Sequence, residues 1–335
     1  MTTVSTPLGT EFAPPISLAD VEAARDRIAT YLAPTPFRHY PQLGELVGAD
    51  IRVFVKHENH QPTNSFKIRN GLSFMTTLTE GERRRGVVAA STGNHGQGIA
   101  YGGRLLGVDT VICVPAGNNP DKNAAMRALG ATVVEEGADY DAAVNVMLRI
   151  AERDGRVVAH STNDPRIIAG AGTMTLEILE QEPELDALVI AVGGGSQAVG
   201  ALTVARAFAP HLRVYGVQAA GASAIHDSWH AGQRLTTPRA DTFAEGVATR
   251  STYDLTFPTL LAGLADFVTV TDAEIAEALR VILSVTHNLV EGAGAMGFAA
   301  LPKLRDRLAG KRVGIIFCGG NMDIAMLRRI LAGEM

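Results

Sequence analysis

The chain has 335 residues, 46% hydrophobic and 19% charged, which excludes a disordered or fibrous protein and allows a large core and two globular lobes. Its 30 basic and 35 acidic residues give a formal net charge of −5 and are spread along the chain, so no nucleic-acid partner is predicted. The two cysteines, Cys113 and Cys318, lie in apolar runs, and we expect a reducing compartment and no disulfide framework.

The N-terminal segment MTTVSTP has no basic region followed by an apolar stretch, and no apolar segment approaches the length of a bilayer span. The sequence therefore predicts a cytoplasmic protein that is not inserted in a membrane. The only tight basic run, Arg83-Arg84-Arg85, is interpreted as a solvated helix end.

Apolar runs rich in β-branched residues alternate along the chain with segments of helical period, which is typical of an α/β fold with a parallel sheet covered by helices. In chain order, strands are predicted at 87–90, 110–115, 132–135, 188–192, 214–217 and 313–317. Helices are predicted at 18–32, 98–106, 121–129, 139–153, 201–208 and 272–285, the last with Thr271 as its N-cap. Residues 232–258 are expected to form a long irregular connection.

One lysine follows a short polar turn in the segment PTNSFK, residues 62–67. A lysine amine can form a Schiff base with an aldehyde, so Lys67 is a candidate anchor for pyridoxal phosphate. A loop lysine is more often a solvated charge, and this residue alone would not establish a site. Three glycine-rich segments further along the chain favour the catalytic interpretation, because each is a place where the backbone can approach a ligand closely.

Two of these segments join a predicted strand to a predicted helix. The backbone amides of Gly193-Gly194-Gly195-Ser196 and the following helix N-terminus suit a phosphate, although a plain tight turn is the structural alternative. Ser91-Thr92-Gly93-Asn94-His95 presents hydroxyls and amides that suit a substrate carboxylate. Here the alternative is a capping turn in which Ser91 or Thr92 satisfies the helix.

The third segment, Cys318-Gly319-Gly320-Asn321, follows the last predicted strand, where α/β proteins bind ligands at the carboxyl ends of strands. A thiol of ordinary pKa is mostly neutral at pH 7, so Cys318 can hydrogen-bond a pyridine nitrogen without stabilising a full positive charge there. A buried small hydrophobic residue is the alternative role of Cys318.

Together these segments resemble the fold type II pyridoxal phosphate enzymes, most closely the serine/threonine dehydratase and serine racemase branch. The order and spacing match over roughly residues 20–330, and the most specific part is the block of residues 56–69 around Ser65-Phe66-Lys67. The resemblance implies two lobes, each a mostly parallel sheet flanked by helices. It implies a discontinuous large cofactor-binding domain of residues 1–82 and 163–335 and a small substrate-carboxylate domain of residues 83–162.

By this resemblance the cofactor is pyridoxal 5′-phosphate, and Lys67 is both its covalent anchor and the catalytic residue. The other implied cofactor-binding residues are Phe66 near the ring, Asn94 at the phenolic oxygen, Gly193, Gly194, Gly195, Ser196 and Gln197 at the phosphate, Gly246 and Glu291 in matching segments, and Cys318 at the pyridine nitrogen. The implied substrate-binding residues are Ser65, Ser91, Thr92, Gly93 and His95.

The sequence also departs from the family pattern. Asn64 and Asn70 stand where the family has glycine, and asparagine is the residue that best replaces glycine in a left-handed backbone. Thr92 stands where racemase-like members have a serine that acts as an acid, and its extra methyl group restricts the rotamer. The two acidic metal ligands of those members would fall at Gln218 and Ala224, so no metal site is expected.

These features predict a β-eliminating ammonia-lyase that converts a β-hydroxy amino acid such as threonine or serine to a 2-oxo acid and ammonia. The alternatives are an amino-acid racemase, a β-replacement synthase, or a non-catalytic protein that binds a small molecule. The identity of the β-substituent stays open, and we expect its pocket near Asn64, residues 219–226 and residues 248–257. A homodimer is implied by the resemblance alone.

Overall fold

The computed structural model of the protein describes residues 11–335, so the N-terminal segment interpreted above and residues 1–10 of the predicted large domain lie outside the described residues. Its larger sheet has six strands in the order β1-β2-β10-β7-β8-β9, all parallel except β1, which is antiparallel to β2. The strands are β1 (Phe37–His39), β2 (Arg52–Lys56), β7 (Ala187–Ala191), β8 (Arg213–Ala219), β9 (Asp266–Val270) and β10 (Arg312–Ile316).

The smaller sheet has four parallel strands in the order β5-β4-β3-β6. These strands are β3 (Val87–Ala90), β4 (Thr110–Val114), β5 (Thr132–Glu135) and β6 (Val157–Val158). The four residues of β3 and the five of β4 are all buried, which is why their sequences are continuously apolar instead of alternating. The α/β fold with two parallel sheets flanked by helices is therefore confirmed.

Helices cover both sheets, and those nearest the N-terminus are α1 (Leu18–Ile28), α2 (Pro41–Val47), α3 (Lys67–Thr76), α4 (Glu80–Arg85), α5 (Asn94–Leu106), α6 (Pro120–Ala128) and α7 (Tyr140–Asp154). The remaining helices are α8 (Pro165–Gln181), α9 (Ser196–Phe208), α10 (Ala224–Ala231), α11 (Phe257–Gly263), α12 (Asp272–Thr286), α13 (Gly292–Leu308) and α14 (Ile324–Leu331). Within residues 11–335, none of these helices is both long and apolar enough to cross a bilayer.

Each helix predicted from the sequence is present, with boundaries that differ by a few residues. The Thr271 cap is confirmed, since its hydroxyl accepts a hydrogen bond from Glu274 N and the Glu274 carboxylate accepts one from Thr271 N. Arg83–Arg85 form the last turn of α4, as expected. The connection at 232–258 is irregular apart from one 3-10 turn at Glu245–Val247 and the start of α11.

Helix α3 packs against both α5 and α8, and glycines allow these helices to approach closely. A Cβ added to Gly71 on α3 would overlap the carbonyl of Gly98 on α5, and one added to Gly170 on α8 would lie 2.6 Å from Arg69 O. Helix α5 follows a strand of the small sheet, and α8 precedes a strand of the large sheet. Residue 67, the first residue of α3, is therefore held at the junction of the two halves.

Four charged side chains are buried together beneath the first turn of α3. Arg69 Nε lies 2.8 Å from Glu58 Oε2, Arg69 Nη1 lies 2.6 Å from Glu177 Oε1, and Lys56 Nζ lies 2.7 Å from Glu177 Oε2. Their side chains are between 0% and 9% exposed. This ion cluster ties α3 to the end of β2 and to α8, because each charge has an oppositely charged partner within hydrogen-bonding distance.

Candidate active site

A cavity of about 1070 Å³ opens where strands β3, β7 and β10 end, and residues from both halves of the chain line it. Lys67 and the three glycine-rich segments identified from the sequence all contribute to its wall. A ligand site at the carboxyl ends of strands is the usual arrangement of open α/β sheets. The volume is at the upper end of the range for small-molecule pockets, about 300–1,000 Å³.

Lys67 enters this cavity from the N-terminus of α3. The preceding loop is fixed to the end of β10, since Phe66 N donates to Cys318 O at 3.0 Å and Ser65 forms a bridge with Gly319. Lys67 Nζ donates to Ser161 O at 3.2 Å and lies 5.1 Å from the centre of the Phe66 ring. Burial lowers the pKa of Lys67 to about 8, because a poorly solvated site disfavours the charged amine.

The two asparagines that replace family glycines differ in backbone conformation. Asn64 has φ of 53°, so the left-handed geometry expected there is confirmed. Asn70 lies inside the right-handed helix α3, so for this residue the expectation is wrong. The Asn70 side chain is fully buried, and among the described residues its amide has no hydrogen-bond partner.

The loop between β3 and α5 carries the residues predicted to bind a carboxylate. Ser91 Oγ accepts hydrogen bonds from Gly93 N at 3.2 Å and Gly96 N at 2.9 Å, which is the capping role considered as an alternative. The backbone N–H groups of Thr92, Asn94 and His95 have no acceptor within residues 11–335. These amides point from the N-terminus of a 13-residue helix, where an anion is favoured by the helix dipole.

His95 is held in one neutral tautomer beside this loop. Its Nε2 donates to Ala159 O at 3.0 Å, and burial lowers its pKa to about 3. Nδ1 is buried and, in the described part of the chain, has no partner. In this state the ring has no N–H left to offer to a carboxylate, so His95 can contribute a donor only through its backbone amide.

The glycine loop between β7 and α9 presents a run of free donors. The backbone N–H groups of Gly193, Gly194, Gly195, Ser196 and Gln197 have no acceptor in residues 11–335. A Cβ added to Gly194 would overlap Thr162 Oγ1, so glycine is required where the loop passes this threonine. Thr256 Oγ1 also donates to Gly194 O at 2.7 Å, which fixes the loop from its other side.

Polar side chains at the end of β10 form a connected network. Asn94 Nδ2 donates to Glu291 Oε1 at 2.7 Å, and Asn321 Nδ2 donates to Asn94 Oδ1 at 2.7 Å. Burial raises the pKa of Glu291. Burial also raises the pKa of the Cys318 thiol, so the thiol is neutral at physiological pH.

A sequence model of the pyridoxal-phosphate dependent enzymes matches residues 28–319, which span both sheets and all the segments of the cavity described above. The chain belongs to this family. Its cofactor is pyridoxal 5′-phosphate.

Among relatives of this pyridoxal-phosphate dependent enzyme is the L-threonine ammonia-lyase of Thermotoga maritima, which is 37% identical over 94% of this chain and 78% of that protein. The L-threo-3-hydroxyaspartate ammonia-lyase of a Pseudomonas species is 36% identical over 95% of this chain and 99% of that protein. A crystal structure of a threonine deaminase from the source abbreviated T.th. superimposes with a TM-score of 0.87 at 35% identity and covers 92% of this chain and 99% of its own.

The cavity of this pyridoxal-phosphate dependent enzyme has groups that fit each part of its cofactor. The amine of Lys67, with its lowered pKa, suits an aldehyde. The five free amides of residues 193–197 suit a phosphate. The neutral thiol of Cys318 is on the same wall and suits a pyridine nitrogen that is not charged.

Every site residue predicted from the sequence, with one exception, lies on the cavity wall. The exception is Ser65, which is fully buried and whose Oγ accepts a hydrogen bond from Lys67 N at 3.3 Å. Of the segments expected near the β-substituent, residues 248–251 and Tyr253 line the cavity, whereas Asn64 and residues 219–226 do not. Gln218, at a metal position of the racemase-like members, accepts a hydrogen bond from His226 N at 2.9 Å.

Sequence reasoning missed several polar residues of the cavity: Lys122, Tyr140, Ser161, Tyr253 and, as a partner of Asn94, Asn321. Burial raises the pKa of both tyrosines, to about 12 for Tyr253, so their phenols stay protonated donors. These residues come from loops and helix starts without a local motif. Only Asn321 had a signal, since it stands next to the glycines after β10.

Proposed function

We propose that this enzyme eliminates the β-hydroxyl group of a β-hydroxy amino acid and releases a 2-oxo acid and ammonia. The observation that carries the proposal is the enclosed Lys67 amine, which lies on one cavity wall with the amides at 92–95 and 193–197. The relatives named as ammonia-lyases support this reaction type, since two of them are 36–37% identical over nearly the whole chain.

Pyridoxal phosphate, when bound, supplies an electron-accepting ring for the pair released as the Cα proton leaves. Lys67 holds this cofactor, and its Nζ removes the Cα proton. A lysine of ordinary pKa would be charged and could not act as a base at neutral pH, whereas the pKa of Lys67 is lowered to about 8 by burial. Phe66 packs beside the same amine and limits access of water to it.

The remaining residues bind and orient. The amides of Thr92, Asn94 and His95, with the hydroxyl of Thr92, hold the substrate carboxylate at the start of α5. Residues 193–197 hold the cofactor phosphate. The Asn94 amide, fixed by Glu291 and Asn321, would bind the phenolic oxygen. Because the Cys318 thiol stays neutral, it withholds a full positive charge from the ring nitrogen, which favours elimination over slower reactions of the carbanion.

We also propose the domain division predicted from the sequence, with residues 83–162 as the small domain. The whole four-stranded sheet falls in this range, since its strands run from Val87 to Val158. The other six strands fall outside it. The cytoplasmic location and the homodimeric state stay predictions.

The decisive variant is Lys67→Ala. We expect the purified variant to lose both the visible absorbance of the covalently held cofactor and all turnover, because the substitution removes the amine that takes both roles. Lys311→Ala, which removes an exposed lysine 50% accessible at its side chain, is the matched control and should retain both. A Lys67→Ala protein that still holds the cofactor covalently would contradict the assignment.

A screen of amino acids tests the reaction itself. Serine, threonine and 3-hydroxyaspartate are supplied to the holoenzyme, and 2-oxo acid formation is followed for each. At least one should yield a 2-oxo acid and an equal amount of ammonia. Inverted configuration in the recovered amino acid, with no 2-oxo acid, would support a racemase instead. A protein that stays colourless after addition of pyridoxal phosphate would support a non-catalytic binding protein.

A further inference from the structure

Lys122, on the first turns of α6, is a cavity cation beside the proposed carboxylate loop. A Cβ built on Gly93 would lie 3.2 Å from Lys122 Cδ and 3.9 Å from Lys122 Nζ. The lysine therefore lies across the loop whose amides at Thr92, Asn94 and His95 have no acceptor in residues 11–335. Its side chain is only 14% exposed, so its position is defined by packing and not by a free excursion into solvent.

The ammonium of Lys122 is already shared between anions of the other half of the chain. It forms an ion pair with Glu245, whose side chain is 54% exposed. Its charge also lowers the pKa of the buried Glu291, although burial as the larger effect raises that pKa. A lysine ammonium has three donors, so the ion pair with Glu245 leaves donors for a further acceptor.

We propose that Lys122 is an additional substrate-binding residue that shares its ammonium between Glu245 and the α-carboxylate of the amino acid. The inference rests on the proposed function, because it takes the loop at 91–95 as the carboxylate site. In the absence of substrate, Glu245 holds Lys122. When the carboxylate reaches the loop, Lys122 Nζ donates to it, and Glu245, being the more exposed partner, yields part of the ammonium to the new anion.

This arrangement gives the two partners opposite effects on binding. Removing the charge of Lys122 removes a charge-assisted hydrogen bond to the substrate, whereas neutralising Glu245 removes the competitor for the same ammonium. Lys122 also bridges the small-sheet half, through α6, to the segment just before Gly246 on the large-sheet half. The carboxylate is therefore bound at a contact between the halves.

The test measures ligand binding to the holoenzyme of Lys122→Met, Lys122→Arg and Glu245→Gln through the change in cofactor absorbance. L-Alanine is the probe, because it has a carboxylate and no β-leaving group. The half-saturating concentration should rise about 10-fold or more in Lys122→Met, stay within about 3-fold of wild type in Lys122→Arg, and fall in Glu245→Gln, as expected for gain or loss of one charged hydrogen bond.

Two controls separate this role from a structural one. Arg127→Met removes an exposed ion pair with Glu135 on the same helix and should leave alanine binding unchanged. Ethanolamine, an amine without a carboxylate, should bind Lys122→Met and wild type equally. An unchanged alanine response in Lys122→Met, or tighter binding absent in Glu245→Gln, would overturn the inference.

The same experiment separates this inference from the proposed reaction. A wild-type holoenzyme that binds alanine but forms no 2-oxo acid from any β-hydroxy amino acid would contradict the proposed function and leave the alanine comparison intact. With turnover present, Lys122→Met should raise the KM for the substrate by a similar factor and change kcat much less, because the contact is made in both the ground state and the transition state.

Discussion

At the scale of single residues, the site depends on groups kept in their neutral forms by burial. The pKa of Lys67 falls to about 8 and that of His95 to about 3, while the pKa values of Cys318 and Glu291 rise. All four shifts have burial as their largest cause, and in each case it favours the uncharged form. Proton transfer by Lys67 thus takes place among groups that do not compete with it as ions.

A pH dependence follows from the value for Lys67. Only the neutral amine attacks an aldehyde, so the rate at which the apoprotein captures pyridoxal phosphate should rise about tenfold for each pH unit below pH 8 and level off above it. The measurement is absorbance after rapid mixing across this range. Free Nα-acetyl-lysine, with a pKa of about 10.4, is the control and should keep rising. A protein whose rate also rises to about pH 10 would have a solvated Lys67.

The residues that the sequence could predict share one property, which is a local pattern with a chemical meaning. Lys67 and the glycine loops have such patterns, and the structure brings them to one cavity. Lys122, Tyr140 and Tyr253 have none, because they reach the cavity through tertiary packing of α6, α7 and an irregular loop. The capping role of Ser91 was an open alternative whose outcome required the hydrogen bonds themselves.

At the scale of elements, the contact between α3 and α5 controls where Lys67 stands. A Cβ added to Gly98 on α5 would overlap Lys67 O and lie 2.8 Å from Lys67 C. Neither of these backbone atoms can move away without displacing the start of α3. Close packing of these two helices therefore sets the position of the lysine.

We expect Gly98→Ala to lower the free energy of unfolding by about 1–3 kcal/mol, the usual cost of overpacking, and to reduce cofactor occupancy. Urea unfolding and cofactor absorbance measure the two effects. Gly81→Ala is the control, because Gly81 lies in the exposed helix α4 with only Arg85 Nη1, at 3.8 Å, near an added Cβ. It should raise stability by about 0.5–1 kcal/mol. Equal stability of Gly98→Ala and wild type would contradict the packing argument.

The elements that sequence reasoning missed were mainly the most buried or the shortest ones. In α8, residues Ile167–Leu179 are all buried, and α13 is buried continuously over its first ten residues. A helix covered on all sides has no polar face, so the 3.6-residue period that marks an amphipathic helix is absent. Strands β1 and β6 have three and two residues, too few to show any alternation.

At the scale of the whole molecule, the cofactor site draws on segments far apart in the chain, at residues 66–67, 193–197 and 318. Binding should therefore stabilise both halves together. With pyridoxal phosphate at about 100 times its dissociation constant, we expect the free energy of unfolding to rise by about 2.7 kcal/mol, and the thermal transition to shift as one.

Calorimetry of the apoprotein with and without the cofactor measures this shift. Pyridoxal, which lacks the phosphate, is the control and should stabilise less, because it leaves the amides of residues 193–197 without an anion. A second transition that does not move on addition of pyridoxal phosphate would mean that one half unfolds independently of the site.

The buried ion cluster of Lys56, Glu58, Arg69 and Glu177 has a consequence for how this protein can change over generations or in the hands of an engineer. The two cations and two anions cancel, and each of them has an oppositely charged partner at hydrogen-bonding distance. Replacing one member strands a buried charge, at a cost of about 3–5 kcal/mol. A viable route to a different solution must therefore substitute the members jointly, so these four positions behave as a single unit of inheritance.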